Sequence, residues 1–543
     1  MIEKNKTYTI EITDVTAEGS GVGHIDGFAV FVPGTVSGDR VLVLIVKVLK
    51  NYAYGKMLDI ITPSPDRCDV SCPAFAKCGG CKFLHIKYEK QLEIKKNIVR
   101  NALKRIGGID CETDEIIGAD NPERYRNKMI FPVGEDREGN PVCGFFRERS
   151  HDIIPLADCL LGAEFNAPVI AAVKEYMTEN HVDSYNEETH SGMIRRIFTR
   201  RGTQSGEIMI VISANGEELP NKNDLVERLR KISPDVVSII LNVNKKRTNL
   251  VLGDRNIILY GKSTISDRLC GMDYEISPYS FFQINHEQTE KLYKKAIEYA
   301  DIKKDDEVID IYCGIGTISL YAARFAKHVT GVEIVPEAIE NAKENAERNG
   351  IENAEFFCSD ASMLVPKLIE KGISPNVVIL DPPRKGSDPR TLAAIVRSGA
   401  ARVVYVSCNP ATLARDVKFL SENGYAAKKV CAVDMFPNTG HVETVVLLCR
   451  KTPDDVIKVK LSLDELELTS AESKATYEKI KEYVMRNFGL KVSTLYIAQT
   501  KRKFGIDMGE NYNMPKSLES TQPQCPPDKE AAIVKALEHF KMI

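Results

Sequence analysis

The spacing of apolar positions changes along this chain, and each change marks a different kind of structure. Thr7-Tyr-Thr-Ile-Glu-Ile alternates polar and apolar residues, the period of a strand with one buried face. Gly19, Gly21, Gly23, Gly27, Gly34 and Gly38 punctuate short runs such as Phe28-Ala-Val-Phe-Val. Short strands with regular turn signals predict a small β-barrel over 1–62. Pro63-Ser-Pro65 reads as a linker. The period then becomes helical over Gln91 to Arg105, with Leu92, Ile94, Ile98, Val99 and Leu103 as its apolar positions. Residues from about 110 to 265 mix strands and helices, so 63–265 forms an α+β central domain. The helix over 90–106 is a candidate to pack with the domain that follows.

From about 270, strand and helix alternate. Glu307-Val-Ile-Asp-Ile-Tyr, His328-Val-Thr-Gly-Val-Glu, Val377-Val-Ile-Leu-Asp and Arg402-Val-Val-Tyr-Val-Ser each end in a polar or reactive residue, with helical stretches such as Pro336 to Asn349 between them. This predicts an α/β doubly wound domain over 266–451, with a ligand crevice at the carboxyl ends of its strands. A small helical extension over 452–543 follows. Ser473 to Phe488 and Pro527 to Phe540 read as helices, separated by Thr500-Lys-Arg-Lys-Phe and a Pro/Ser/Gln-containing loop.

Composition narrows the class. The 543 residues are 43 % hydrophobic and carry a formal net charge of −3, so the whole chain is no generic polyanion binder. Any nucleic-acid surface must come from local clusters: Lys95-Lys96, Arg124-Tyr-Arg126-Asn-Lys128, Arg147-Glu-Arg149, Arg195-Arg196 to Arg200-Arg201, and Lys245-Lys246-Arg247. Tyr125, Phe145, Phe146 and Phe198 lie among them, a mixture suited to phosphate neutralisation with base stacking. The 14 scattered cysteines do not form a secreted disulfide pattern, and no signal segment opens the chain. The longest aliphatic run, Val41 to Val46, is far short of a membrane span. A cytoplasmic monomer with reduced thiols is expected.

The chemistry gathers in the doubly wound domain. Asp310-x-Tyr312-x-Gly314-x-Gly316-Thr317 lacks the third glycine of a dinucleotide loop. It suits a ligand whose centre is an amino-acid chain, such as S-adenosylmethionine. Glu333, at the end of the next strand, is placed to accept from ribose hydroxyls, and Asp360 and Asp381 end further strands. Cys408 ends a strand at Asn409-Pro410 and should project into the crevice, whereas Cys313 inside the glycine loop should be packing. A thiol and a carboxylate beside such a site point to covalent catalysis on an electrophilic ring.

Asp381-Pro-Pro-Arg384-Lys-Gly386, Ser407-Cys408-Asn409-Pro410-Ala-Thr-Leu-Ala-Arg-Asp416, Asp434-Met-Phe-Pro-Asn-Thr-Gly-His-Val-Glu443-Thr and Phe281-Phe-Gln283-Ile-Asn285 resemble the signatures of RNA uracil-C5 methyltransferases of the 23S ribosomal RNA type. The first 62 residues resemble a TRAM domain, a small RNA-binding barrel. The resemblance covers about residues 5 to 450. It implies Cys408 as nucleophile and Glu443 as base, with Gln283, Tyr312, Gly314, Glu333, Asp360 and Asp381 lining the cofactor and base pockets. It also implies that 23S ribosomal RNA is the partner rather than the T-loop of tRNA. A non-catalytic RNA-binding assembly factor is the reading from another class.

Cys72-x5-Cys78-x2-Cys81 is a compact thiolate set, and its spacing suits zinc or an iron–sulfur cluster. The resemblance implies a [4Fe–4S] cluster with Cys159 as its fourth ligand and leaves Cys68 a bystander.

Overall fold

Five strands near the start alternate buried and exposed side chains and close into a barrel. They are Thr7–Val15, Ser20–Ile25, Phe28–Pro33, Arg40–Val48 and Tyr52–Thr62, with the last inserted between the third and fourth. Ile10, Ile12, Val30, Val32, Val41, Val43, Ile45 and Ala53 fill the interior. The barrel is narrow: a Cβ on Gly55 would lie 2.1 Å from Val43 Cγ1. This computed structural model describes residues 2–451 apart from 76, 112 and 149, together with 477–504, 525–540 and 542. It divides into two units, Met1–Asp455 and Val456–Ile543.

The central segment builds a seven-stranded sheet in the order Arg255–Gly261, Val236–Val243, Ile208–Ala214, Ile194–Arg201, Lys128–Glu135, Pro141–Phe146, Ile153–Pro155. The helices Asn166–Glu179 and Lys222–Arg230 bury Val169, Val173, Tyr176, Leu225 and Leu229 against it.

The second sheet has eight strands, in the order Ala354–Cys358, His328–Glu333, Glu307–Ile311, Val377–Leu380, Arg402–Ser407, Glu443–Arg450, Tyr425–Val433, Glu115–Ile117. The first five run parallel. Glu443–Arg450 is antiparallel to both neighbours, and Glu115–Ile117 pairs in parallel with Tyr425–Val433. The core strands are continuous apolar runs, as a sheet covered on both faces requires. The edge strand Glu115–Ile117 comes from far upstream of the rest.

The helix Tyr88–Ala102 also belongs to this layer, since Val99 and the following Leu103 join the core under the sheet. Lys95 on that helix is fully buried. Its ammonium is paired with Asp434, also fully buried, and donates to the Phe436 carbonyl at 3.0 Å. Burial pushes the Lys95 ammonium down, and Asp434 opposes that shift.

In the second unit, Tyr477–Phe488, Thr494–Lys503 and Pro527–His539 pack around Ile480, Val484, Ile497, Ile533 and Leu537. Residues 473–476 of the expected first helix, and the Pro/Ser/Gln-containing stretch, lie outside the described residues. The middle helix takes in Thr500-Lys-Arg-Lys, which the sequence pattern left between helices. Ser493 caps it by accepting from the Tyr496 amide, and its three cations sit at the C-terminal end, where the helix dipole favours them. No helix among the described residues is long and apolar enough to cross a membrane.

The buried pair gives a stability prediction. Lys95→Ala strands the Asp434 charge and should cost about 3–5 kcal/mol, whereas Lys95→Met with Asp434→Leu should recover much of that loss. Denaturant midpoints of the three proteins check this. A double variant no more stable than Lys95→Ala would mean that the pair does more than compensate its own charges.

Candidate active site

The parallel strands deliver their last residues to one edge of the sheet, where a crevice of about 1800 Å³ opens. Gln283, Tyr312, Gly314, Glu333, Asp360, Asp381, Cys408 and Glu443 all line it. The structure therefore brings together every crevice residue singled out in the sequence. The volume exceeds the 300–1,000 Å³ typical of a single small-molecule site, which leaves room for a cofactor and a nucleobase together.

The glycine loop curls beneath one end. Tyr312, Gly314 and Gly316 hold positive φ values of 67°, 55° and 83°. Only glycine adopts this backbone freely, so tyrosine at the first position is a strained exception. The Tyr312 hydroxyl reaches Ser387 Oγ at 3.2 Å. Glu333 is held by backbone donors, accepting from the amides of Ile334 at 2.7 Å, Val335 at 3.0 Å and Gly314 at 3.3 Å. Its carboxylate thus spans the loop and its own strand end. Asp360 caps the helix Ala361–Glu370 through the Ser362 amide at 2.8 Å. Cys313 is buried in the core, where burial pushes its thiol up.

At the other end, sheet register joins the two reactive groups. Ser407 pairs with Thr444 across antiparallel strands, so Cys408, directly after the one strand, and Glu443, at the start of the other, lie at the same end of that ladder. Glu443 is buried, and burial with the nearby Asp381 charge raises its carboxyl to about 8, while Arg384 opposes the shift. Burial raises Asp381 to about 7. The Cys408 thiol is raised to about 11 by burial, Glu443 and Asp381, again opposed by Arg384. Burial, with Arg384, Lys95 and Arg126, lowers His441 and so favours its neutral form.

Arg384, Phe436 and His441 also line the crevice, although no role was assigned to them from the sequence. Arg384 could have been found: it follows Asp381-Pro-Pro and is the cation that favours ionisation of both Cys408 and Glu443.

The basic clusters fare differently. Lys95 is buried, and so are Arg195, Arg196, Phe198 and Arg200. Arg195 donates to the carbonyls of Asn244, Lys246 and Thr248, Arg196 to Asn249, and Arg200 to Ser277 and Ser280. These guanidinium groups hold loops together and are not available to phosphates. Arg124 pairs with Asp158, Lys245 with Glu217 and Lys246 with Asp254. Arg149 lies outside the described residues.

Cys72, Cys78 and Cys159 all lie near enough to Cys81 to disfavour its ionisation, and burial with these thiols pushes Cys81 up to about 12. Cys68 stays apart, its thiol donating to the Leu84 carbonyl at 3.4 Å. Among the described residues, no three His, Cys, Asp or Glu side chains form a ready-made metal site.

Residues 3–58 match the model of the TRAM domain, and residues 202–451 that of tRNA (uracil-5-)-methyltransferase. An uncharacterized RNA methyltransferase of Clostridium tetani is 47 % identical over 82 % of this chain and 97 % of its own. The chain belongs to a family of RNA methyltransferases and carries a tRNA (uracil-5-)-methyltransferase domain. A second family member, an uncharacterized RNA methyltransferase of Halalkalibacterium halodurans, is also 47 % identical, over 82 % of this chain and 98 % of its own. Among solved structures, the Pyrococcus abyssi tRNA (uracil-54, C5)-methyltransferase in complex with S-adenosyl-L-homocysteine superposes with a TM-score of 0.66 at 29 % identity. That match covers 81 % of this chain and all of the archaeal one. This chain is thus an RNA methyltransferase with an N-terminal TRAM barrel and an S-adenosylmethionine-dependent domain.

The buried carboxyls make stability depend on pH. Burial raises Asp310 to about 7, alongside Asp381 at about 7 and Glu443 at about 8. Over this range the fold keeps protons that the unfolded chain has released. Stability should therefore fall as pH rises from about 4 to about 8. Asp310→Asn should narrow the difference in melting temperature between about pH 5 and about pH 8. An unchanged difference in thermal scans would mean that Asp310 ionises in the fold as freely as in the unfolded chain.

Proposed function

We propose that this protein methylates C5 of a uridine in 23S ribosomal RNA, in the cytoplasm, through a covalent bond between Cys408 and C6 of the base. The observation that carries this reading is that Cys408 and Glu443 line the same crevice at the shared end of the Ser407–Thr444 ladder, close enough for the carboxyl to act on the thiol. The T-loop uridine of tRNA is the second reading, favoured by the likeness to the archaeal enzyme.

S-adenosylmethionine would be held by Gln283, Tyr312, Gly314, Glu333, Asp360 and Asp381, and when bound it supplies an electrophilic methyl group. The donor set fits: Glu333 offers a fixed carboxylate for ribose hydroxyls, and a sulfonium charge near Asp381 would favour its ionised form. Uracil C5 is too weak a nucleophile to react unaided. Cys408, as thiolate, adds to C6, and the electron pair of the C5–C6 bond becomes available at C5. The thiol is raised to about 11, so it must lose its proton within the complex, and Arg384 is the group that favours the anion. Once C5 is methylated, its proton passes to the Glu443 carboxylate. The electrons of that C–H bond restore the C5–C6 double bond and expel the Cys408 sulfur. A uridine in folded RNA must be unstacked to enter, and Phe436 and His441 are placed to wall its site.

The same reading gives Cys72, Cys78, Cys81 and Cys159 a [4Fe–4S] cluster. Cys72, Cys78 and Cys159 all stand near enough to Cys81 to act on its thiol, and four clustered thiols suit a cationic core. Its role would be structural, since the reaction needs no electron transfer. Anaerobically purified protein should be brown, and colourless protein with stoichiometric zinc would overturn the assignment.

The decisive test separates Cys408 from Glu443. Cys408→Ala should abolish both methylation and any covalent enzyme–RNA adduct. Glu443→Gln should still add to C6 and accept the methyl group, then stall, leaving a methylated adduct stable to denaturing electrophoresis. RNA carrying 5-fluorouridine should trap the wild-type enzyme in the same way. An adduct that persists in Cys408→Ala would place the nucleophile elsewhere. Glu333→Ala should weaken S-adenosylmethionine by roughly 1.5–3 kcal/mol for each ribose hydrogen bond lost, measured by calorimetry.

A further inference from the structure

The loop between Val433 and Glu443 carries two walls of the crevice, Phe436 and His441, and ends at the proposed base. Asn285 and Gln288 of its own domain hold its first residues, and residues from far upstream in the chain hold its centre. Asn438 lies at its centre, buried to 5 % exposure and in the left-handed backbone region at φ 65°. The Asn438 amide donates to Gln91 Oε1 at 3.0 Å, and Gln91 Nε2 donates back to Asn438 Oδ1 at 3.0 Å. The side-chain amide of Asn438 donates to the Pro122 carbonyl at 3.0 Å. Its backbone carbonyl accepts from the amides of Lys82 and Phe83, both at 3.0 Å, directly after Cys81. Gln91 Nε2 also reaches the carbonyls of Phe83 at 3.2 Å and Ile86 at 2.9 Å. One buried asparagine and one buried glutamine therefore join the end of the cysteine segment, the helix Tyr88–Ala102 and the crevice loop.

We propose that Gln91 and Asn438 form a positioning latch, through which the cysteine-bearing segment and the helix Tyr88–Ala102 set the place of Phe436, His441 and Glu443 against the substrate base. Neither residue lines the crevice. A buried residue bonded on both backbone and side chain to separate segments cannot move unless those bonds break together. Buried donors and acceptors resist separation because each unpaired group is costly. The latch holds the loop that ends at the proposed base, and none of its hydrogen bonds is made to the glycine loop. Its loss should therefore spare cofactor affinity and slow the steps that need the base aligned with Cys408 and Glu443. This rests on the covalent reading of those two residues.

The test uses the full chain with Gln91→Met, which keeps the side-chain length without the amide, and Asn438→Gly, which tolerates the left-handed backbone and removes the side chain. Each should keep S-adenosylmethionine affinity within about twofold of wild type and lower turnover on RNA by roughly tenfold to a hundredfold, since a misplacement near 1 Å costs that much. The double variant should do less harm than the two single effects combined, because both singles break the side-chain bond between Gln91 and Asn438. In hydrogen exchange, peptides covering 82–86 and 434–442 should lose protection together while the strands of the sheet keep theirs.

Loss of turnover in proportion to lost cofactor affinity, additive effects in the double variant, or loop peptides that exchange as in wild type would each overturn the latch. Failure of the wild-type enzyme to form a fluorouridine adduct would strike the covalent reaction instead, and the exchange measurement would still decide the latch.

Discussion

The crevice depends on keeping carboxyl groups where water cannot fully solvate them. Asp310, Asp381 and Glu443 sit close together and beneath apolar strands, and each is held toward its neutral form. They cannot all ionise unless a positive charge joins them. Arg384 supplies part of that charge beside Glu443 and Cys408.

The same economy of charge appears behind the crevice. Lys95 and Asp434 are both removed from solvent, and Tyr88 adds a hydrogen bond to the second carboxylate oxygen at 2.9 Å. The Tyr88 oxygen in turn accepts from the Ala119 amide at 2.7 Å. Burying such a pair brings little net stability over an apolar replacement, but it admits few alternative placements. The loop behind the base wall is further enclosed by the barrel: a Cβ on Gly440 would lie 1.6 Å from the Ala17 carbonyl oxygen. The N-terminal part of the chain thus forms the outer wall of the active-site loop.

Much of this was legible in the sequence because parallel strands advertise themselves. Runs such as Val377-Val-Ile-Leu and Arg402-Val-Val-Tyr-Val end in chemically distinctive residues, and chain order places those ends at one edge. The pairing that brings Cys408 and Glu443 to one end of a ladder was not legible. It depends on Glu443–Arg450 inserting antiparallel between Arg402–Ser407 and Tyr425–Val433, a long-range choice that local periodicity does not record. The buried arginines misled for a related reason. Arg195, Arg196 and Arg200 look like a surface cluster, but they lie on a strand covered along nearly its whole length and find carbonyl partners dozens of residues away. Charge is visible in a sequence, whereas the acceptors that neutralise it are set only by the fold. The helix Thr494–Lys503 was hidden by its basic end, which resembled a loop.

The strand Glu115–Ile117 bears on how the molecule is made. A sheet edge left open is a row of unpaired amides and carbonyls that can recruit another chain. Here the edge beside Tyr425–Val433 is closed by three residues translated well before any other strand of that sheet. Domains emerge from the ribosome N-terminal end first. The cap is therefore already waiting when the last strands appear, and the nascent sheet can complete itself within one polypeptide instead of borrowing a strand from its neighbour.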